Sequence, residues 1–222
     1  MYFVLFIGIA LLSWAVSGLL NHRFKEYSQV YLPMTGREVA EKMLRDHGIT
    51  DVKVISTPGH LTDHYDPRNK TVNLSQSVYS SNSVAAAAVA AHECGHAVQH
   101  ACAYAPLKMR SALVPVVNFA SKWLTWVLLG GILLIETFPQ LLLAGIILYG
   151  LTTVFAFVTL PVEMNASKRA ILWLEQAGIT DRQTTPMASA ALRSAAYTYV
   201  VAALSSLGTL IYYIMIFMGR RD

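Results

Sequence analysis

The sequence predicts a mainly α-helical integral membrane protein that also carries a small α+β region. The chain has 222 residues, of which 55% are hydrophobic and only 14% charged, whereas soluble globular chains have about 45–50% apolar and about 25% charged residues. Four stretches stay apolar for about 20 residues, the length that crosses a bilayer as a helix. One long polar region separates the first two stretches. This composition excludes a disordered chain, and two cysteines exclude a disulfide-rich scaffold.

Four transmembrane helices are predicted, at residues 1–20, 114–135, 141–160 and 195–218. The second is the weakest candidate because Lys122 lies inside it, although a lysine can extend its amine towards the interface. The first stretch differs from a cleaved signal peptide, since it has no basic start and its apolar run is long. We therefore expect it to remain as an anchor.

The distribution of lysine and arginine predicts the membrane topology. If the polar regions 21–113 and 161–194 face the cytoplasm, all of the 17 basic residues except Arg220 and Arg221 lie on or near that side. Both termini would then be outside. The basic residues are explained by this orientation, so no nucleic-acid partner is expected.

The polar region begins with an amphipathic helix at residues 35–47. Thr35 and Glu38 form a capping-box pattern at its start. Residues 51–57 and 70–75 alternate as short strands, and an Asp-Pro-Arg-Asn turn sequence precedes the second one. We expect a small hairpin-like sheet in which these two segments pair.

An alanine-rich helix predicted at about residues 84–104 contains an HExxH motif, His92-Glu93-Cys94-Gly95-His96. Residues four apart lie on one face of a helix, so the imidazoles of His92 and His96 can bind one zinc ion. Glu93 lies beside them and can take a proton from a zinc-bound water. We interpret Cys94, on another face, as a packing residue.

A catalytic zinc needs a third protein ligand and an open position for water. The metzincin continuation of the motif fails, because Gln99 and Cys102 stand where it requires glycine and histidine. The glutamates that follow the motif are Glu136, Glu163 and Glu175, and the predicted topology places the first across the membrane. We assign Glu163 as the third ligand ahead of Glu175, at the start of a helix on the cytoplasmic face.

These residues resemble the YugP-like neutral zinc metallopeptidases of prokaryotic membranes. The resemblance covers nearly the whole chain and rests on LTDHYDP at 61–67, HECGHAVQ at 92–99, PVEMNAS at 161–167 and TYVVAAL at 198–204. The family is distantly similar to the HtpX and CAAX-protease type of membrane gluzincin, whose third ligand is the glutamate of an ExxAD motif. Ser167 replaces the aspartate of that motif, so Ser167 or Asn165 is expected to orient a ligand histidine.

The resemblance implies a zinc-dependent endopeptidase, a hydrolase of the EC 3.4.24 type, with a minigluzincin-like domain and one catalytic Zn²⁺. Zinc would polarise the scissile carbonyl, and Glu93 would move a proton from water to the leaving amine. An extended substrate would add as a strand beside residues 70–75. Tyr197, Tyr199 and Arg193 are candidate oxyanion donors, with Tyr199 named as the catalytic candidate, although interfacial anchoring also explains both tyrosines.

We expect the whole chain, 1–222, to form one multi-pass metallopeptidase domain in a prokaryotic cell membrane, with its active site at the cytoplasmic face. Its partners would be the lipid bilayer and a membrane-proximal or unfolded polypeptide substrate, and a homo-oligomer is left open. The alternative is a zinc-stabilised membrane scaffold without peptidase activity. Glu93 argues against it, because a structural zinc site needs no base and usually closes its fourth position. A metal transporter is disfavoured because three of the spans contain no ionisable residue.

Overall fold

The computed structural model describes residues 2–59 and 61–219. The mainly helical class predicted from the sequence is confirmed, together with a small sheet. The elements in chain order are α1 (Tyr2–Tyr27), α2 (Gly36–Asp46), β1 (Lys53–Thr57), β2 (His64–Asp66), β3 (Thr71–Ser75), α3 (Gln76–Tyr79), α4 (Val84–Ala101), α5 (Ala105–Leu133), α6 (Pro139–Gln176) and α7 (Thr184–Gly219).

The described residues group into two compact units. An apolar unit contains residues 2–14, 108–160 and 198–219, and a polar unit contains residues 15–107 and 161–197. Helices α6 and α7 contribute residues to both units. The end of α6 and the beginning of α7 extend beyond their apolar stretches into the polar unit. The assignment of 1–222 as one functional domain stays a prediction.

Three helices, α5, α6 and α7, are long and apolar enough to cross a membrane. They contain nearly all of the second, third and fourth predicted spans, and each extends further into the polar sequence than the prediction did. The first predicted span falls on α1 and stays a prediction; Met1 lies outside the described residues. Arg220 and Arg221 also lie outside them, so the topology stays a prediction as well.

Helices α5 and α6 pack closely within the apolar unit. A Cβ atom on Gly131 would lie 2.6 Å from Leu142 Cα, so only a glycine permits this approach. Leu128, Leu142 and Ile146 form the buried centre of the contact. Because lipid is as apolar as leucine, close packing of this kind is what holds membrane helices together.

Helix α2 has the predicted capping box: Glu38 N donates to Thr35 Oγ1, and Thr35 N donates to the Glu38 carboxylate. At the other end of the helix, the Asp46 carboxylate accepts hydrogen bonds from Lys42 Nζ at 2.8 Å and Trp173 Nε1 at 3.0 Å. The Lys42 bond, opposed by partial burial and reinforced by Trp173, holds the pKa of Asp46 below its ordinary value. The charged form of Asp46 therefore stabilises the fold.

The sheet differs from the predicted hairpin. Its order is β1-β3-β2; β1 runs parallel to β3, and β2 pairs with β3 in an antiparallel manner. The Asp-Pro-Arg-Asn turn therefore joins β2 to β3, with Arg68 N donating to Asp66 Oδ1 at 2.8 Å. The two predicted segments do pair, as β1 and β3, but in parallel rather than as a hairpin; the prediction missed β2, which has only three residues and shows no alternation of its own. Since β3 is central, a substrate strand cannot add beside it, and that expectation is wrong.

Helix α4 is buried along most of its length in the polar unit. Its alanines allow α2 to approach closely, so that Val39 and Met43 pack with them in one core that also includes Leu74 of β3. Cys94 is fully buried in this core, and its Sγ donates to Ala40 O at 3.5 Å. The interpretation of Cys94 as a packing residue is confirmed by this position. The alanine-rich composition of α4 thus allows the close packing that holds the HExxH helix in position.

Candidate metal centre

Two histidines of α4 and one glutamate of α6 converge in the polar unit. The candidate ligand atoms of His92, His96 and Glu163 all lie within 4.8 Å of one another. Glu163 Oε2 is 3.3 Å from His92 Nε2 and 3.6 Å from His96 Nε2. The two imidazole rings are nearly perpendicular, with centroids 4.8 Å apart. The structure therefore brings together all three residues that the sequence suggested as metal ligands.

The chemistry of this group fits a zinc ion. Two imidazole nitrogens and one carboxylate oxygen form the His₂Glu donor set of catalytic zinc sites, which keep a further position open. The Glu163 side chain is only 4% exposed and that of His92 is 14% exposed, so the group is shielded but accessible from the His92 side. A cation there would be bound by a largely desolvated carboxylate, which strengthens the attraction.

Each histidine is held by a hydrogen bond on the side of its ring away from Glu163. His92 Nδ1 lies 3.0 Å from Ser167 Oγ, and His96 Nδ1 lies 3.1 Å from Gln99 Oε1. With Nε2 as the ligand atom, each Nδ1 carries the proton and donates it to these oxygens. Ser167, which stands in place of the aspartate of related motifs, therefore contacts one of the two histidines directly.

Gln99 connects α4 to α6 through its side-chain amide. Gln99 is completely buried; its Nε2 donates to Val162 O at 2.8 Å and to Asn165 Oδ1 at 3.1 Å. Asn165 Oδ1 also accepts from Arg169 Nε at 2.8 Å. From the sequence, Gln99 excluded the metzincin pattern and formed part of the HECGHAVQ motif, but its role as a bridge between the helices was missed. Its position three residues after His96, on a neighbouring part of the helix surface, was the available signal.

Gly95 permits the close approach of the two helices. A Cβ atom at this position would lie 2.7 Å from Ala166 O and 3.2 Å from Ala166 Cα. The backbone of α6 therefore leaves no room for any larger residue on α4. This contact is flanked by the residues of the candidate metal group, so it sets the distance between the histidines and Glu163. The sequence analysis did not single out Gly95, although a glycine inside a buried helix often marks such a contact.

Glu93 is buried next to His92 on α4. Its exposed fraction is 9%, and its carboxylate forms no hydrogen bond or ion pair within residues 2–59 and 61–219. Burial lowers the pKa of His96, but the hydrogen bond with Glu163 and the negative charges of Glu93 and Glu163 outweigh it, so the pKa lies above its ordinary value. The acidic surroundings that retain this proton would equally attract a divalent cation.

The sequence predicted that Glu163 lies at the start of a helix, but the structure places it inside one. Helix α6 runs without interruption from Pro139 to Gln176, and Pro161 lies inside it. The prediction treated Pro161 as the boundary between two helices, because proline usually ends or kinks a helix. The two histidines, rather than a helix N-terminus, are therefore the groups that face the Glu163 charge. Glu175 is exposed on the same helix and does not join the group.

The other candidates for a role in catalysis, Tyr199 and Arg193, are on α7. Tyr199 is on α7, 38% exposed and within the apolar unit, and its catalytic role stays a prediction. Arg193 Nη2 donates to Ser189 Oγ at 3.4 Å. His100 is exposed one turn beyond His96, and its Nδ1 lies 2.9 Å from Tyr65 Oη on β2. The Tyr65–His100 contact joins the edge of the sheet to α4.

Comparison with known proteins identifies the family. Residues 2–218 match the family model described as "Putative neutral zinc metallopeptidase". The "Putative membrane protease YugP" of Bacillus subtilis (strain 168) is 42% identical over 205 residues, which cover 91% of this chain and 90% of that protein. No solved structure matches the chain. The resemblance seen in the sequence motifs is thus confirmed, and the chain belongs to the family of neutral zinc metallopeptidases that this model describes.

Proposed function

We propose that the protein is a membrane-embedded zinc endopeptidase in which His92, His96 and Glu163 bind one Zn²⁺ and Glu93 is the general base. The observation that carries the proposal is the convergence of three ligand atoms within 4.8 Å beside the buried carboxylate of Glu93. The description of the family names zinc and peptidase activity. The relative from Bacillus subtilis is named as a membrane protease.

A bound zinc would supply a Lewis acid that polarises the scissile carbonyl and makes water more acidic. The residues of the chain perform the other tasks. Ser167 and Gln99 hold the two imidazoles with Nε2 directed towards Glu163. Glu93 takes a proton from the attacking water and delivers it to the nitrogen of the leaving amine. Tyr199 is our candidate donor to the oxyanion.

The substrate is proposed to be an extended polypeptide segment that is unfolded or close to the membrane. In the described part of the chain β2 pairs only with β3, so its other edge can accept a peptide strand. The Tyr65–His100 hydrogen bond links this edge to the helix that carries the HExxH motif. We therefore replace the expected position beside residues 70–75 with the edge of β2.

The protein is proposed to be a multi-pass protein of a prokaryotic cell membrane with the metal centre at the cytoplasmic face. Helices α5, α6 and α7 have the length and hydropathy of membrane spans. The basic residues concentrate in the regions 21–113 and 161–194, which supports a cytoplasmic position for both.

Cleavage of casein by the detergent-purified protein tests the proposal, with bound zinc counted in every sample. We expect the wild-type protein to cleave, and the Glu93→Gln variant to retain zinc without cleaving. Glu163→Gln should lose zinc, whereas the matched variant Glu175→Gln, on the exposed face of the same helix, should retain both zinc and activity.

Two outcomes would contradict the proposal. If Glu93→Gln cleaves as fast as the wild-type protein, Glu93 is not the base. If wild type and Glu93→Gln both hold one zinc and neither cleaves casein or extended membrane-proximal peptides, the zinc-stabilised scaffold becomes the better explanation.

A further inference from the structure

A groove of about 300 Å³ lies between α6 and α7 in the polar unit. Its apolar surface comes from residues of both helices, among them Met164, Ile171, Leu172, Leu192 and Ala196. Leu192 is buried, whereas Met164 and Leu172 are 59% and 46% exposed. The exposed apolar walls favour a ligand that brings a large apolar side chain.

The groove borders a residue that contacts the candidate metal group. Ser167 is one of its lining residues, and the same hydroxyl lies 3.0 Å from His92 Nδ1. Met164 follows the proposed ligand Glu163 directly in α6. A molecule seated in the groove would therefore lie beside Ser167, the residue that contacts the His92 ring. This proximity favours a segment of the substrate over a ligand that has no relation to catalysis.

Two cations, Lys168 and Arg193, lie at the groove, and no carboxylate is among its lining residues. Within residues 2–59 and 61–219 neither of them forms an ion pair, and Arg193 contacts only the hydroxyl of Ser189. Unbalanced positive charge next to an apolar surface favours a ligand that is apolar and anionic together.

We propose that this groove is a substrate subsite that selects polypeptide segments in which a large apolar residue is adjacent to Asp or Glu. The apolar side chain would occupy the surface formed by Met164, Leu172 and Leu192, and the carboxylate would meet Lys168 and Arg193. This inference rests on the proposed endopeptidase function. Anionic lipid headgroups carry the same charge, but their presence would not explain why the groove includes Ser167, the residue that contacts His92.

Matched fluorescent peptides that differ at one position test the inference. The pair contains Leu-Glu or Leu-Gln at the same place, and a third peptide contains Leu-Lys. Both kcat/KM and the Kd of each peptide are measured on the zinc-loaded protein in detergent. We expect the wild-type protein to prefer Leu-Glu by about fivefold for each exposed ion pair formed.

The double variant Lys168→Glu/Arg193→Glu should reverse the preference in favour of Leu-Lys, with zinc content unchanged. The control Lys53→Glu/Arg182→Glu carries the same change of charge at exposed positions outside the groove and should keep the wild-type preference. The control separates a local effect from the effect of net charge.

Three outcomes separate this proposal from the one it rests on. If the peptides bind with the expected preference and its reversal but are not cleaved, the subsite stands and the endopeptidase proposal fails. If cleavage occurs with the same preference in the wild-type protein and the double variant, the subsite is overturned and the endopeptidase proposal stands. If the double variant only loses binding to phosphatidylglycerol vesicles, with peptide preference unchanged, the groove binds lipid and the subsite is overturned.

Discussion

Replacement of Gln99 by methionine tests how the metal centre is held in position. Methionine has a similar length but no amide group, so Gln99→Met removes the acceptor of His96 Nδ1 and the two hydrogen bonds from Nε2 to α6. Since Gln99 is completely buried, water cannot easily replace the lost partners. The His96 ring would then be free to turn away from Glu163.

Loss of a residue that orients a metal ligand weakens metal binding by about 10–100-fold, which is about 1.4–2.8 kcal/mol. The three lost hydrogen bonds also contribute to folding at about 1 kcal/mol each, partly offset by the apolar methionine side chain. We therefore expect Gln99→Met to lower both the zinc affinity and the free energy of unfolding. The loss of zinc affinity is the diagnostic effect, because it is measured on folded protein.

Competition between the detergent-purified protein and a chromogenic zinc chelator gives the zinc affinity directly. Circular dichroism confirms that the variant is folded under the same conditions. The control is Gln183→Met, an identical substitution at an exposed position in the loop before α7. If Gln99→Met is folded and binds zinc with wild-type affinity, the orienting role assigned to Gln99 is refuted.

Three further changes probe the same architecture. Ser167→Ala should weaken zinc binding less than Gln99→Met does, because water can reach the half-buried ring of His92; chelator competition measures the difference. Gly95→Ala forces a Cβ against the α6 backbone, so it should cost about 1–3 kcal/mol of stability and also reduce zinc affinity. The control Gly150→Ala places its Cβ in open space on α6 and should not destabilise the protein. Thermal unfolding together with zinc counting tests both variants. Asp46→Asn should lower stability at pH 7 by less than about 1 kcal/mol. Because the folded-state pKa of Asp46 is depressed, that difference should disappear as the pH falls through it, which chemical unfolding at a series of pH values falling from 7 would show.

The candidate ligands were predictable because their geometry is local or nearly so. The spacing of His92 and His96 places both on one face of any helix, and few glutamates follow them in the sequence. The choice of Glu163 depended on the order of apolar stretches along the chain, which the three long helices retain.

Strand pairing and helix continuity were not predictable in the same way. Segments 51–57 and 70–75 both have strand-like patterns, but nothing in either segment specifies a parallel pairing. The hairpin partner of β3 has only three residues, too few for a periodic signal. Pro161 normally indicates a helix boundary, yet tertiary packing of the residues after it extends α6 to Gln176. Propensity is a local preference, and here the packed neighbours decide the outcome.

The metal centre depends on contacts between α4 and α6 that do not themselves involve a metal ligand. Gly95 lets the two backbones meet at Ala166, and Gln99, one turn further along α4, bonds to Val162 and Asn165, which flank Glu163 in α6. Zinc-ligand bonds tolerate errors of only about 0.2 Å, so the spacing of the helices must be fixed before the ion binds. Gly95 and the side-chain amide of Gln99 fix this spacing without adding a charge. A charged bridge at the same place would compete with Glu163 for the ion. The residues of α4 that lie between and after the two histidines therefore have as large a part in building the site as the histidines themselves.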